Sequence, residues 1–66
     1  MNDMKIVHRL QRVRVMQNTR TAFLFVEVQR EGGVWKEVAM CEKLEWAKAI
    51  ADHLQEAGYG VWYDNA

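Results

Sequence analysis

The chain has 66 residues, half of them hydrophobic, with three tryptophans, one cysteine and equal numbers of acidic and basic side chains. A chain of this length forms one domain, residues 1–66, and buries only about 60% of the surface that its unfolded state exposes, so it depends on good packing or on a partner. One cysteine excludes an intrachain disulfide, and the spacing of His8, Cys41 and His53 fits no zinc site. We therefore expect neither a metal nor a cofactor.

The first predicted element is a strand from Ile6 to Gln17. Its second half, RVRVMQ, alternates apolar and polar side chains, as a strand with one buried face does. Residues 4–11 are ambiguous, because their apolar side chains also follow helical spacing. We favour one long strand, followed by a turn at residues 17–20, where the side chain of Asn18 can hydrogen-bond to the nearby backbone.

The second predicted strand, from Thr21 to Gln29, is the most strongly β-forming stretch of the chain. Every second residue from Ala22 to Val28 is apolar, and so are Phe23 and Phe25 at the positions between them. Successive side chains of a strand point to opposite faces of the sheet. This strand should therefore be covered on both faces.

A third strand, Val34 to Cys41, should return after a tight turn in which Gly32 and Gly33 supply positive φ angles. The hairpin register has two interpretations, and each places different side chains in the core. A loop of two residues pairs Glu27 with Lys36.

We favour the other register, with a loop of three residues. It places Val28, Val26 and Leu24 beside Lys36, Val38 and Met40, respectively, on a largely apolar core face. Phe23, Phe25 and Trp35 then lie on the reverse face, and Glu27 lies opposite Glu37 at some electrostatic cost.

The next predicted element is an amphipathic helix from Glu42 to Ala57, ended by Gly58. A short strand at Val61 to Tyr63 should follow and run parallel to its neighbour. The fold class is therefore α+β, with the order β-β-β-α-β: a small sheet of three or four mostly antiparallel strands with one helix packed on one face. The apolar stripe of the helix comprises Trp46, Ala47, Ile50, Ala51, Leu54 and Ala57.

One helix covers only one face of such a sheet. Phe23, Phe25 and Trp35 should then form an exposed aromatic face, which is typical of a protein contact surface. A second copy of the chain is the simplest partner, because a homodimer would cover this face. We expect the other two tryptophans, Trp46 and Trp62, to lie in the core of the monomer.

The sequence offers little support for catalysis. Serine is absent, which excludes a Ser-His-Asp triad. Cys41 precedes the helix, but we interpret it as a small buried residue. His8 lies in a basic stretch and should be exposed to solvent. We predict that the protein is not an enzyme and binds no small-molecule substrate.

Charge is divided unevenly along the chain and suggests a nucleic-acid-binding module as the alternative function. Residues 1–20 hold five basic side chains and one acidic side chain, whereas residues 21–66 hold four basic and eight acidic ones. Arginines beside exposed Phe23 and Phe25 could bind phosphates while the rings stack on bases. The acidic helix and the zero net charge oppose this function. The arginines concerned are Arg9, Arg12, Arg14 and Arg20.

The stretch RTAFLFVEV resembles, over nine residues, the longer signature of the RNA-recognition motif. It lacks the glycine of that signature, and Val28 stands where the last aromatic residue belongs. The chain is also too short for the βαββαβ fold of that family. We interpret the resemblance as coincidence.

The favoured prediction is a small protein-binding or regulatory module that acts through the aromatic face and the basic first strand. Its organisation is similar to that of small phage-encoded proteins that inhibit host enzymes, which implies a role as an inhibitor or adaptor. The chain begins without the apolar run of a signal peptide, and no apolar run is long enough to span a membrane, so we expect a cytoplasmic protein that does not bind membranes.

Overall fold

The computed structural model describes residues 3–58, which form a four-stranded antiparallel sheet followed by one α-helix. The strand order in the sheet is the order in the chain, so each strand pairs with the next in a meander. This arrangement confirms the predicted α+β class with a helix packed on one face. The predicted strand at residues 61–63 lies outside the described residues. The elements are β1 (Met4–Arg9), β2 (Val13–Asn18), β3 (Leu24–Gln29), β4 (Trp35–Cys41) and α1 (Leu44–Glu56).

The prediction of one long first strand is wrong, because residues 6–17 fold back as the hairpin β1–β2. The turn between these strands is closed by a hydrogen bond of 2.8 Å from the Leu10 N–H to the Val13 carbonyl oxygen. With this turn, Val7 and Leu10 of the first arm pack against the core that contains Val13 and Val15 of the second. Hydrophobic burial in both arms therefore favours the hairpin over one extended strand.

The side chain of Asn18 organises the loop between β2 and β3, as the sequence predicts. Its Oδ1 accepts hydrogen bonds from the backbone N–H groups of Arg20 and Thr21, at 2.9 Å and 3.1 Å. The loop continues through Ala22, whose φ of 69° lies in the left-handed region. A residue with a Cβ atom is uncommon there, so the loop holds some backbone strain.

The turn between β3 and β4 confirms the predicted three-residue loop. Gly32 and Gly33 have φ angles of 88° and 85°, and the Arg30 N–H donates to the Val34 carbonyl oxygen at 2.6 Å. Near this turn Val28 lies opposite Lys36 in the favoured register.

Farther from the turn the predicted register is wrong, because β4 contains a β-bulge. Glu27 pairs with Glu37, but Val26 pairs with Ala39, so Val38 has no partner across the ladder. The extra residue moves Ala39 and Cys41 to the core face. Val38 and Met40, which we predicted in the core, are 47% and 59% exposed.

The helix packs on β2, β3 and β4 through two fully buried alanines, Ala47 and Ala51. Trp46 was predicted to lie in the core but is 53% exposed, and Ile50 of the same predicted stripe is 36% exposed. The small alanines bring the helix axis close to the sheet, and the larger side chains then project along its flank. Trp62 lies outside the described residues. The buried core comprises Val13, Val15, Leu24, Val26, Val28, Cys41, Ala47 and Ala51.

His8 was predicted to be exposed, but the structure shows it half-buried and in contact with the helix. Its Nε2 lies 3.1 Å from the Asp52 carboxylate, and its side chain is 22% exposed. His8 pairs with the core residue Val15, which directs it to the helix-bearing face of the sheet. This contact joins the edge strand β1 to α1.

Candidate protein-binding face

The face of the sheet opposite the helix carries a continuous line of large apolar side chains. Strand pairing places Ile6 opposite Met16, Met16 opposite Phe25, and Phe25 opposite Met40. The two outer members, Ile6 and Met40, are 47% and 59% exposed, and the two inner members are half-buried. We call these four residues the apolar row; it crosses all four strands.

A second line of side chains crosses the same face. It is displaced from the apolar row by two residues along β2 and β3. Pairing places Arg9 opposite Arg14, Arg14 opposite Glu27, and Glu27 opposite Glu37. We call these four residues the charged row. Its two basic members lie on β1 and β2, and its two acidic members lie on β3 and β4.

An ion pair connects the two inner members of the charged row. Arg14 Nε donates to Glu27 Oε1 at 2.7 Å, and the two side chains are only 20% and 18% exposed. This contact offsets the repulsion between Glu27 and Glu37 that the hairpin register imposes. A charge-assisted hydrogen bond at this distance also holds both side chains in fixed positions.

Trp35 contacts both arginines of the charged row. The guanidinium carbon of Arg14 lies 4.0 Å from the centroid of the indole ring, and that of Arg9 lies 5.2 Å away. Arg14 is on β2 and Trp35 is on β4, so this contact spans the intervening strand β3. The cation–π interactions hold the indole against the sheet.

The structure brings together two of the three aromatic residues that the sequence singled out. Phe25 and Trp35 lie on the open face, and Phe23 immediately precedes β3, where its carbonyl accepts a hydrogen bond from the Asn18 N–H. Ile6, Met16 and Met40 also lie on this face and were not predicted from the sequence. The alternation of RVRVMQ already places Met16 on the other face of the strand from Val13 and Val15, so this residue could have been predicted.

The four arginines proposed as a basic edge do not form one strip. Arg9 and Arg14 lie on the open face, whereas Arg12 lies in the turn before β2 and Arg20 lies in the loop after it. Nη1 of Arg20 contacts the Asp3 carboxylate at 3.4 Å.

The other candidate sites in the described part of the chain are less developed. A shallow open depression along the helix is lined by Leu44, Glu45, Lys48, Ala49 and Asp52. All of these belong to one helix, so they cannot surround a ligand. Within residues 3–58, His, Cys, Asp and Glu side chains form no group of three that could hold a metal ion. The helix described here is too short and too polar to cross a bilayer.

Comparison of the chain with protein-family models, curated proteins and solved structures found no match. Function must therefore be inferred from the open face of the sheet.

Proposed function

We propose that this protein is a small non-enzymatic module that binds a protein partner through the open face of its sheet. The apolar row carries this proposal. Ile6, Met16, Phe25 and Met40 form a line of large apolar side chains across four strands, and the helix packs on the opposite face. A contiguous apolar surface bordered by charges is typical of a protein interaction site.

The chemistry of the row suits a protein surface. Phe25 is a rigid aromatic anchor at the centre, and residues of this kind concentrate binding energy when they are fully desolvated. Met16 and Met40 on either side are flexible and polarisable, so they can adapt to the shape of a partner. Arg9 and Trp35 beside the row belong to residue types that are enriched at protein interfaces.

Nucleic-acid binding is less well supported by the same geometry. Arg14 is already paired with Glu27, and Glu37 adds a second carboxylate to the open face. A phosphate backbone would be repelled by these acidic groups. Arg9 and Trp35 could still stack on a base, so nucleic acid is included as an outcome of the test.

A module of this kind would act as an inhibitor or adaptor, by covering a site on its partner or by linking two proteins. Such a role requires only a binding surface, which the open face provides. The buried free thiol of Cys41 suits a reducing compartment, so we place this action in the cytoplasm.

The test immobilises wild type, Met40→Glu and Leu44→Glu and compares the proteins that each one retains from a nuclease-treated lysate. Untagged copies of the same chain are added to the lysate, so that binding of the chain to itself is also detected. Met40 lies on the open face, and Leu44 is a matched control because it is an exposed apolar residue on the helix (59% and 42% exposed). Glutamate at position 44 also suits the first turn of a helix. We expect wild type and Leu44→Glu to retain the same proteins, and Met40→Glu to lose them.

Retention of the same proteins by all three variants would contradict the proposal. A fluorescent mixed-sequence oligonucleotide provides the second arm. Binding that weakens steeply with salt, and that Met40→Glu leaves unchanged, would favour the nucleic-acid alternative.

A further inference from the structure

We propose that the partner at the open face is a second copy of this chain, packed face to face about a two-fold axis that runs parallel to the strands between β2 and β3. This inference rests on the proposed function, because it names the partner for the same face. It is carried by the order of side chains in the apolar and charged rows.

The charged row is complementary to itself under this rotation. A two-fold axis parallel to the strands exchanges β1 with β4 and β2 with β3, and it keeps each residue at the same level along the strands. Arg9 then lies opposite Glu37 of the partner subunit, and Arg14 lies opposite Glu27 of the partner subunit. Every basic side chain of the row meets an acidic one, which favours association and fixes its register.

The same rotation places the apolar row against the apolar row of the partner subunit. Ile6 lies opposite Met40 of the partner subunit, and Met16 lies opposite Phe25 of the partner subunit. Apolar surface is thereby buried only against apolar surface, and each Met16 sulfur meets an aromatic ring. One axis therefore gives complementary contacts in both rows.

The other face-to-face arrangement with aligned strands does not give these complementary contacts. A two-fold axis that runs across the strands at the level of the charged row places Arg9 opposite Arg9 of the partner subunit, and it places the acidic residues opposite one another. At the level of the apolar row it packs that row against itself but gives the charged row no complementary charges, and between the two levels it brings charged side chains against apolar ones. None of these positions pairs opposite charges across the interface, so the order of charges favours the axis parallel to the strands.

The outer charges are available for such a contact. Arg9 and Glu37 are exposed, and within residues 3–58 neither of them takes part in an ion pair. The Arg9 guanidinium lies 5.2 Å from the Trp35 ring, and its Nε donates to the Leu10 carbonyl oxygen at 3.2 Å, so its charge meets no carboxylate within the described part of the subunit. The inner charges of Arg14 and Glu27 already neutralise each other, which reduces the cost of removing them from water.

The edges of the sheet discourage the competing mode of association. Both edge strands contain a bulge, because the register skips Val7 in β1 and Val38 in β4. A bulge interrupts the regular row of N–H and C=O groups that a further strand would need. Face-to-face packing requires no such row.

The size of the face is adequate for a dimer of moderate affinity. Four strands about 4.8 Å apart, three of six residues and one of seven, give a face of about 400 Å² in projection. The accessible area of protruding side chains exceeds the projection, so two faces approach the roughly 1,000 Å² of a specific interface. We therefore expect a dissociation constant in the micromolar range, on the order of 1–100 μM.

The test measures the mass of the full chain by sedimentation equilibrium over a dilution series that brackets this range. The variants are Arg9→Glu, Glu37→Arg, the double variant with both changes, Met40→Glu and the control Leu44→Glu. Circular dichroism establishes that each variant is folded. The double variant exchanges the two charges and so restores the complementarity that each single change removes.

We expect wild type, Leu44→Glu and the double variant to dimerise with similar affinity. Each single charge change should weaken dimerisation on the order of tenfold, because it affects two symmetric contacts. Met40→Glu should weaken it on the order of a hundredfold, because a carboxylate would be buried twice against apolar side chains.

Three results would overturn the inference. A chain that is monomeric at every concentration would exclude the homodimer, and the retention experiment would then decide whether the face binds another protein. A dimer weakened by neither charge change, or not restored by the double variant, would exclude this axis. A dimer lost in Leu44→Glu but intact in Met40→Glu would place the interface on the helix and contradict the proposed function as well.

Discussion

The guanidinium carbon of Arg14 lies 4.0 Å from the centroid of the Trp35 ring, although β3 separates the strands that carry these residues. The same guanidinium donates to Glu27 on that intervening strand. One arginine thereby connects three strands on the face that the helix leaves open. The charged half of the face is thus held in place by contacts within one subunit, whereas Ile6 and Met40 of the apolar half expose about half of their surface.

Replacement of Arg14 by glutamine should destabilise the fold by about 1–2 kcal/mol. The change removes the ion pair with Glu27 and the stacking on Trp35, and it leaves Glu27 beside Glu37 without compensation. Urea unfolding at one fixed protein concentration should show a midpoint lowered by about 1–2 M, for a slope of about 1 kcal/mol/M.

Arg12→Gln is the matched control for this change, because Arg12 is exposed in the β1–β2 turn. It should alter the stability by less than about 0.5 kcal/mol. The variants Glu27→Gln and Arg14→Gln, alone and combined, complete a double-mutant cycle. Additive effects would show that the Arg14–Glu27 contact contributes nothing to stability.

The sequence predicted the turn of the central hairpin and the extent of the helix well, because both depend on local signals. The helix was expected at Glu42 to Ala57 and is observed at Leu44–Glu56. The positive φ angles of Gly32 and Gly33 and the pairing of Glu27 with Glu37 are also as expected. These features follow from local chemistry, namely helical periodicity and the demands of a tight turn.

The features that were missed depend on contacts distant in sequence. The stretch MKIVHRLQ fits strand and helix periodicity alike, so its pairing with β2 could not be recognised. Val38 and Ala39 are both apolar, so either could oppose Val26, and the bulge is not visible in the pattern. The apolar row combines β1, β2, β3 and β4, so it could be recognised only after both registers were known.

Replacement of Ala22 by glycine should stabilise the fold by up to about 1 kcal/mol. Ala22 is exposed with a φ of 69°, where a Cβ atom costs about 1–2 kcal/mol that the greater chain entropy of glycine only partly offsets. Thermal unfolding of the two proteins at equal concentration measures the difference. The same change at Ala49, on the exposed side of α1, should instead destabilise by about 1 kcal/mol. Equal effects at both positions would contradict the assigned backbone strain.

Replacement of Ala51 by leucine should destabilise the fold by about 1–3 kcal/mol. Ala51 is fully buried where α1 packs on the sheet, so a larger side chain would push the helix away from the sheet. Chemical denaturation provides the measurement, with Ala49→Leu as the control because position 49 is exposed. Equal stability of Ala51→Leu and wild type would show that the helix is not packed as closely as the structure indicates.

Cys41 should react with iodoacetamide more slowly in the folded protein than in the chain unfolded by urea. Its side chain is buried between the end of β4 and the core, so alkylation requires local opening of the structure. The measurement is the rate of mass increase in native buffer and in denaturant at the same pH. A variant that weakens the core, such as Ala51→Leu, should accelerate the native reaction. A native rate far above that of the unfolded chain would identify an activated nucleophile and contradict the non-enzymatic binding module proposed for this protein.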